Sequence, residues 1–339
     1  MHHQNRKALR SALGAGIGLL LTSGLLAACA TGPAVGLAGA TTAHAGGHVY
    51  VTNQLDGTLS VINTQTNRVI ATVPAGTAPE GVAVTPDHRH VYIADNGSGE
   101  VSVLSTRTDK IVATVHVGKH PSGVGLSPDG RHLYVANGGS NTVSVLDTRT
   151  NRVTATVPVG TSPVSVAVSR DGTAVYVANA GSGTLSVIDT RTDRTVRALP
   201  AGRTPAGVSV SPDGQLAYVA NEVTASVSVV GTRTGTIRAR LPVGEGPFDV
   251  ALAPDGRSAY VAVLGPGNVS AIDTRTHRIS GTVNVGPPQT DPFNIAVTPG
   301  AVYVTEQGAG TLTVINPNTL KVTATITVGN SPYGVAAEP

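Results

Sequence analysis

Residues 127–163, SPDGRHLYVANGGSNTVSVLDTRTNRVTATVPVGTSP, hold one length of the sequence repeat. Three short runs within it, LYVAN, TVSVLD and VTATV, are rich in Val, Thr and Tyr and partly alternate, which is strand composition. A fourth run, VSVAVS, follows Pro163. Between them stand Pro-Asp-Gly, Asn-Gly-Gly-Ser-Asn, Asp-Thr-Arg-Thr-Asn and Val-Gly-Thr-Ser-Pro. Gly supplies positive φ, Pro fixes φ and Asx side chains bond nearby backbone, so each cluster reverses the chain. Connections this short make the strands antiparallel neighbours. The unit is a four-stranded meander, lettered A (VAV), B (YVAN), C (SVLD) and D (ATV).

The same unit recurs through the chain. Tyrosines stand at 50, 92, 134, 176, 218, 260 and 303, and unit-opening prolines at 79, 121, 163, 205, 247, 292 and 332. The steps are near 42 residues, and a four-stranded repeat of that length is the signature of a propeller. Both faces of each meander are apolar, so blades packed radially against one another would cover them. The repeats open on strand B at residue 48 and finish on a strand A near residue 337. The C-terminal strand A therefore completes the blade begun by the N-terminal strands B, C and D, and leaves no unpaired end blade. The expected fold is all-β: a seven-bladed β-propeller of four-stranded antiparallel blades, its ring closed by the last strand.

Tyr50-Val51-Thr52-Asn53 spells YVTN, and the pattern P-x-G-V-A-V-S-P-D-G, Y-V-A-N, S-V-I-D-T recurs seven times. Residues 48–339 resemble the YVTN-repeat β-propeller family. That resemblance implies a bacterial, exported protein of the kind found among surface-layer and binding proteins. Related seven-bladed rings include lactonases, a streptogramin lyase and non-catalytic domains of redox enzymes. A shared fold of this kind hosts many functions.

Residues 1–28 read as a targeting segment. Arg6, Lys7 and Arg10 precede an apolar stretch, residues 12–26, that is short for a membrane span. Leu26-Ala27-Ala28-Cys29 matches a bacterial lipobox, and the resemblance implies that Cys29 becomes the lipidated N-terminus. Simple secretion after an A-x-A site is the alternative. Cys29 is the sole cysteine, so no disulfide framework is expected. Residues 29–47 read as a flexible tether rich in Ala, Gly and Thr, and residues 48–339 as the propeller. The expected location is the outer face of the cytoplasmic membrane or the cell envelope, with membrane contact through Cys29 alone. Without Arg6, Lys7 and Arg10, 20 basic residues balance 20 acidic ones, so no nucleic-acid partner is expected.

In a repeat protein, departures from the consensus are where function shows. Strand direction places the D–A and B–C loops on one face of the ring and the A–B and C–D loops on the other. After the unit-opening prolines stand Glu80, Ser122, Val164, Ala206, Phe248, Phe293 and Tyr333. The chain's two phenylalanines and its one tyrosine outside strand B thus share a position in three consecutive blades, and ring closure makes Glu80 the next in line. Three residues after each strand-B tyrosine stands Asn or Asp, expected to cap the B–C loop. Val263 and Glu306 break that rule. Residues 287–291, Pro-Pro-Gln-Thr-Asp, lengthen one D–A loop in the same sector. Aromatic faces beside polar groups suit a small ligand or sugar. The candidate ligand site is therefore Phe248, Phe293, Tyr333, Glu80, Glu306, Asp249, Asn294 and Asp291. The competing structural reading is that the rings plug the channel end.

The opposite face carries Arg107, Arg149, Arg191, Arg233 and Arg275 in successive C–D turns, interleaved with aspartates. It reads as a solvated turn surface or, alternatively, a docking rim for acidic envelope polymers. No C-x-x-C-H, H-E-x-x-H or G-x-S-x-G pattern occurs, and no cofactor or catalytic residue is assigned. The expected function is a binding or scaffold module for a protein, glycan or small ligand at the D–A/B–C face. The alternative is a lactonase- or lyase-like enzyme with a metal site, drawn from Glu80, Glu306, His120 and Asn side chains, at the same mouth.

Overall fold

The computed structural model describes residues 47–287 and 290–338. The targeting segment, the lipobox with Cys29 and nearly all of the tether lie outside those residues. The described chain forms twenty-eight strands in seven four-stranded antiparallel sheets. Each sheet is one blade, with strand A innermost and strand D at the rim. Strands A follow one another around a closed circle. The fold is the seven-bladed propeller expected from the repeat.

Burial follows strand position. Strand B of the third blade (His132–Asn137) and strand C (Thr142–Asp147) are buried almost throughout, and strand D (Arg152–Pro158) keeps only an alternating inner face covered. Continuous apolar runs such as LYVA and VSVL suit strands sandwiched on both faces, whereas V-T-A-T-V alternates because its outer face meets water. Seven hydrophobic clusters fill the gaps between blades; in one, Tyr218, Val227 and Val229 of blade 5 meet Val250, Val261 and Ile272 of blade 6. The repeated tyrosines also tie blades together. Tyr92 of blade 2 donates to the Thr148 carbonyl (3.1 Å) and Asn151 Oδ1 (2.9 Å) in the C–D turn of blade 3.

The closing strand (Pro332–Ala337) pairs with the first (His48–Asn53), placing Val49 opposite Ala337 and Val51 opposite Val335. Glu338 extends the clasp. Its carboxylate accepts from the His48 N–H (2.8 Å) and the Tyr50 hydroxyl (3.1 Å), and its own N–H donates to the His48 carbonyl (2.9 Å). His88 approaches the same carboxylate at 3.5 Å.

Each strand A is preceded by a residue of positive φ: Ala78, His120, Ser162, Thr204, Gly246, Asp291 and Ser331. A left-handed residue before proline is unfavourable. A recurring hydrogen bond holds it there. The carbonyl of that residue accepts an N–H from the neighbouring B–C loop, as in Asn96 to Ala78 (3.1 Å) and Gln307 to Asp291 (3.0 Å).

The buried Asn after strand B works differently from the expected loop cap. Asn137 Oδ1 accepts from the Gly118 N–H of the D–A loop (3.1 Å), and its Nδ2 donates to Ser144 Oγ (3.0 Å) and Thr142 Oγ1 (3.2 Å) in strand C. Asn53 does the same with Gly329, Ser60 and Thr58. Both side chains are fully buried and both ends of each amide find partners, whereas the buried Oδ1 atoms of Asn179 and Asn221 have none among the described residues. The partners of Asn53 and Asn137 come from two separate segments, which makes each a staple between loop and blade.

Candidate ligand-binding mouth

Strand A carries the mouth residues, and the proline that opens it fixes where they sit. Phe248 and Phe293 stack with ring centroids 3.7 Å apart, and the Tyr333 ring meets Phe293 edge-on at 4.6 Å and Phe248 at 6.2 Å. All three rings remain half-buried. The two edge-on contacts of Tyr333 are favourable beyond the area they cover, whereas Phe248 and Phe293 lie nearly face to face.

Glu80 completes the group from the next blade. It is 4% exposed, and its carboxyl accepts from Gln54 Nε2 (3.0 Å), with the Ser122 and Tyr333 hydroxyls close enough to stabilise its charged form. Burial pushes the carboxyl up to about 7, while the three donors pull it back. Tyr333 is held well above the ordinary phenol value by burial and then by the Glu80 charge. The result is one apolar stack with a single ionisable edge that titrates near neutrality.

Two threonines fix the backbone beneath these side chains. Thr52 Oγ1 donates to the Glu80 carbonyl (2.6 Å) and accepts from the Gly334 N–H (2.8 Å). Thr305 Oγ1 donates to the Tyr333 carbonyl (2.8 Å) and accepts from the Asn294 N–H (3.0 Å). Both are fully buried and link the inner strands of adjacent blades. Neither they nor Gln54 were singled out from the sequence. The signal was present: five blades have Ala where Thr52 and Thr305 stand.

Asp249 and Asn294 lie one residue further in, on the wall of a channel cavity of about 340 Å³ that Ser165 and Gly334 also line. Asp249 accepts from the Val250 N–H (2.8 Å) and, across the blade boundary, the Ile295 N–H (3.0 Å). A Cβ on Gly207 would come within 2.4 Å of its carboxylate, so that glycine makes the space. Burial pushes Asp249 up to about 6 against those two N–H donors. Asn294 Nδ2 is buried with no hydrogen-bond partner among the described residues, an arrangement that is costly unless a guest accepts from it.

Glu306 and Asp291 stand apart from this group. Glu306 is 2% exposed and is bonded by Thr313 and Thr311 of its own strand C. It occupies the staple position, and burial raises its carboxyl. Asp291 is the left-handed residue before Pro292, and its carbonyl holds the Gln307 N–H. His120 faces Asn96 at 3.4 Å. Among the described residues, no group of three His, Cys, Asp or Glu is assembled to hold a metal ion, so Glu80, Glu306 and His120 do not form a donor set.

The sequence profile of the family described as "Lactonase, 7-bladed beta-propeller" matches residues 43–195, under half of the chain. No curated protein sequence matches. Among solved structures, the chain is similar to Kuenenia stuttgartiensis hydrazine synthase at 22% identity, covering 76% of this chain and 88% of that one, with a TM-score of 0.69. It is similar to a functionally unknown protein from Desulfotomaculum acetoxidans DSM 771 at 18% identity, covering 86% and 98%, with a TM-score of 0.73. A third likeness is to dihydro-heme d1 dehydrogenase NirN in complex with DHE, at 17% identity, covering 83% and 63%, with a TM-score of 0.64. At these identities the likeness is one of fold, and it agrees with the geometry above: the chain is a seven-bladed β-propeller.

Proposed function

We propose that the chain is an exported binding module, anchored through Cys29, that takes its ligand at the D–A/B–C mouth. The observation that carries this reading is the stack of Phe248, Phe293 and Tyr333 across three blades, half-buried and bordered by the Glu80 carboxyl. The rings offer an apolar platform, and Glu80, Gln54 and Ser122 offer orientation. The Thr52 and Thr305 bridges preorganise both, so little ordering remains to oppose binding. A planar or ring-shaped polar molecule, such as a sugar, suits this surface.

Replacing all three aromatics with Ala tests the reading. Thermal-shift measurements against a panel of mono- and oligosaccharides identify the ligand for the parent protein. The triple variant is expected to lose that binding by at least ~2 kcal/mol, the size of an aromatic hot spot. Unchanged binding with a depressed melting temperature would mean that the rings serve only as a plug.

A second reading is favoured by the lactonase-family match: hydrolysis of a lactone at the same mouth. Glu80, whose carboxyl sits near 7, is the group suited to act as general base on a water molecule. Turnover of a sugar lactone by the parent protein and its loss in Glu80→Gln would replace the binding reading with this one.

A further inference from the structure

The charges of the propeller are sorted by face. The A–B and C–D turns, together with the strand ends that flank them, carry 16 of the 20 Lys and Arg beyond residue 47, against 11 of the 20 Asp and Glu, a formal excess of +5. The rest of the ring carries the remaining four basic and nine acidic residues, a formal −5. The net charge of zero conceals a basic face, while several of the acidic residues elsewhere, Glu80, Asp95 and Glu306 among them, are buried.

Side-chain geometry widens the difference. All 16 basic residues are exposed. The aspartates beside them are folded into their own turns. Asp147, Asp189 and Asp273 each accept the N–H and the hydroxyl of a threonine three residues on, with N···O distances of 2.7, 2.9 and 2.7 Å. Arg89 and Arg131 approach Asp87 and Asp129 only at 3.9 and 3.8 Å, and pairs this exposed neutralise little. The 16 exposed cations therefore far outnumber the exposed carboxylates of this face, which are Asp87, Asp129, Asp171, Asp213 and Asp255.

The chain also joins the ring here. The Gly47 carbonyl accepts from the Thr64 N–H (3.0 Å) and hydroxyl (2.9 Å) in the C–D turn of blade 1. Seventeen residues separate Cys29 from Gly47, at most about 60 Å of extended chain. The described chain thus enters the ring from the basic face, and the aromatic mouth lies on the opposite one.

We infer that the A–B/C–D face is a docking surface for an anionic phospholipid membrane, lying flat against it and presenting the mouth outward. A ring of arginines on a broad face can meet many headgroups at once, each contact worth little and falling away within a Debye length. Attachment of the chain at this face favours a bilayer over a soluble polymer. The choice of a bilayer rests on the anchoring at Cys29 proposed above, and the test removes that anchor so that the two readings fail separately.

The test compares the full chain carrying Cys29→Ser with the same chain further changed at Arg107→Gln, Arg149→Gln, Arg191→Gln and Arg275→Gln. Each is sedimented with vesicles of phosphatidylcholine and of equimolar phosphatidylcholine and phosphatidylglycerol. The readout is the difference between the two vesicle types, so any apolar contribution from residues before Gly47 cancels, and comparing variant with parent cancels the contribution of Arg6, Lys7 and Arg10. The parent is expected to favour anionic vesicles and to lose that preference as salt rises. The quadruple variant should lose at least about tenfold in the preference, and the four matching Arg→Lys changes should keep it. Equal binding to both vesicle types, or a quadruple variant that behaves like its parent, overturns the inference. Should the glutamine variant fail to fold, salt decides: binding to anionic vesicles that is insensitive to salt overturns it. Soluble polyphosphate binding more tightly than anionic vesicles assigns the face to an acidic polymer and overturns it as well.

Discussion

In blades 3, 4 and 5 the residue after the inner-strand proline is Ser122, Val164 or Ala206; in blades 6, 7, 1 and 2 it is Phe248, Phe293, Tyr333 or Glu80. The backbone is the same in both sectors, with the same left-handed residue before the proline and the same B–C loop bond to its carbonyl. The repeat therefore supplies a fixed geometry, and one position per blade is free to vary without disturbing it. In the first sector that position holds small side chains. In the second it builds a stack, and Thr52 and Thr305 appear beneath it where the other blades have Ala. Blade 1 alone differs in connectivity, because its strand A arrives from the far end of the chain.

That difference in connectivity gives the largest expected effect. Deleting residues 331–339 removes strand A of blade 1, the Glu338 clasp and Tyr333 together. Strand B of blade 1 then has an open edge, and the inner strands of blades 7 and 2 lose their neighbour. With total stability of a domain near ~5–15 kcal/mol, the truncated chain is expected to lose cooperative folding and to aggregate through the exposed edge. Circular dichroism melting and size-exclusion chromatography check this. A truncated chain that melts with its parent's midpoint and elutes as a monomer shows that blade 1 is dispensable to the ring.

Glu80 sharpens the comparison next, since its counterparts Ser122, Val164 and Ala206 do not titrate. Below about pH 4.5, the ordinary glutamate value, the carboxyl is protonated in both folded and unfolded chains and costs nothing. Between there and about 7 the unfolded chain ionises while the folded chain keeps its proton, so stability falls as pH rises. Above about 7 the loss is complete, at roughly 3 kcal/mol. Glu80→Gln is expected to match the parent near pH 4 and to exceed it by about that amount near pH 8, in denaturant unfolding at each pH. Asp95 and Asp249, both pushed up by burial to about 6, contribute the same slope to both proteins and drop out of the difference. A gap between the two proteins that does not change with pH would show that Glu80 is not buried against the stack in solution.

The architecture could be read from the sequence because every blade restates it. Strand composition, turn chemistry and the step between tyrosines all agree, and the closing strand followed from where the repeats start and stop. The meeting of Phe248, Phe293 and Tyr333 was also legible, since residues at one repeat position in adjacent blades are neighbours around the ring. What escaped the sequence depends on side-chain direction. Gln54 reaches Glu80 from a B–C loop, and Asn137 turns from the end of its strand to the Gly118 N–H of the D–A loop. Glu306 shares a sector with the stack but points into its own blade, toward Thr311 and Thr313. The positive φ before each proline was hidden for a different reason. It is imposed by a bond from another loop, against the preference of the residue itself.

The smallest expected effect separates that imposed conformation from the residue that bears it. Thr204 holds φ 52° before Pro205 in the regular sector, and Gly246 holds φ 70° before Pro247 in the aromatic one. Their carbonyls accept the same loop bond, from the Glu222 N–H at 3.1 Å and the Leu264 N–H at 3.0 Å. A β-branched residue in the left-handed region is strained by ~1–2 kcal/mol, whereas glycine is not but loses more freedom on folding, by roughly 0.5–1 kcal/mol. The difference favours Thr204→Gly by up to about 1 kcal/mol. Gly246→Ala should be unfavourable by a similar amount, because it adds the left-handed strain and brings a Cβ within 3.3 Å of the Leu264 side chain. Urea unfolding of the two variants measures both. Opposite signs would mean that the two loops share one backbone and differ only in the strain they carry. A destabilised Thr204→Gly would mean that its side chain contributes packing that outweighs the strain, and the sectors would then differ in their loops as well as at the mouth.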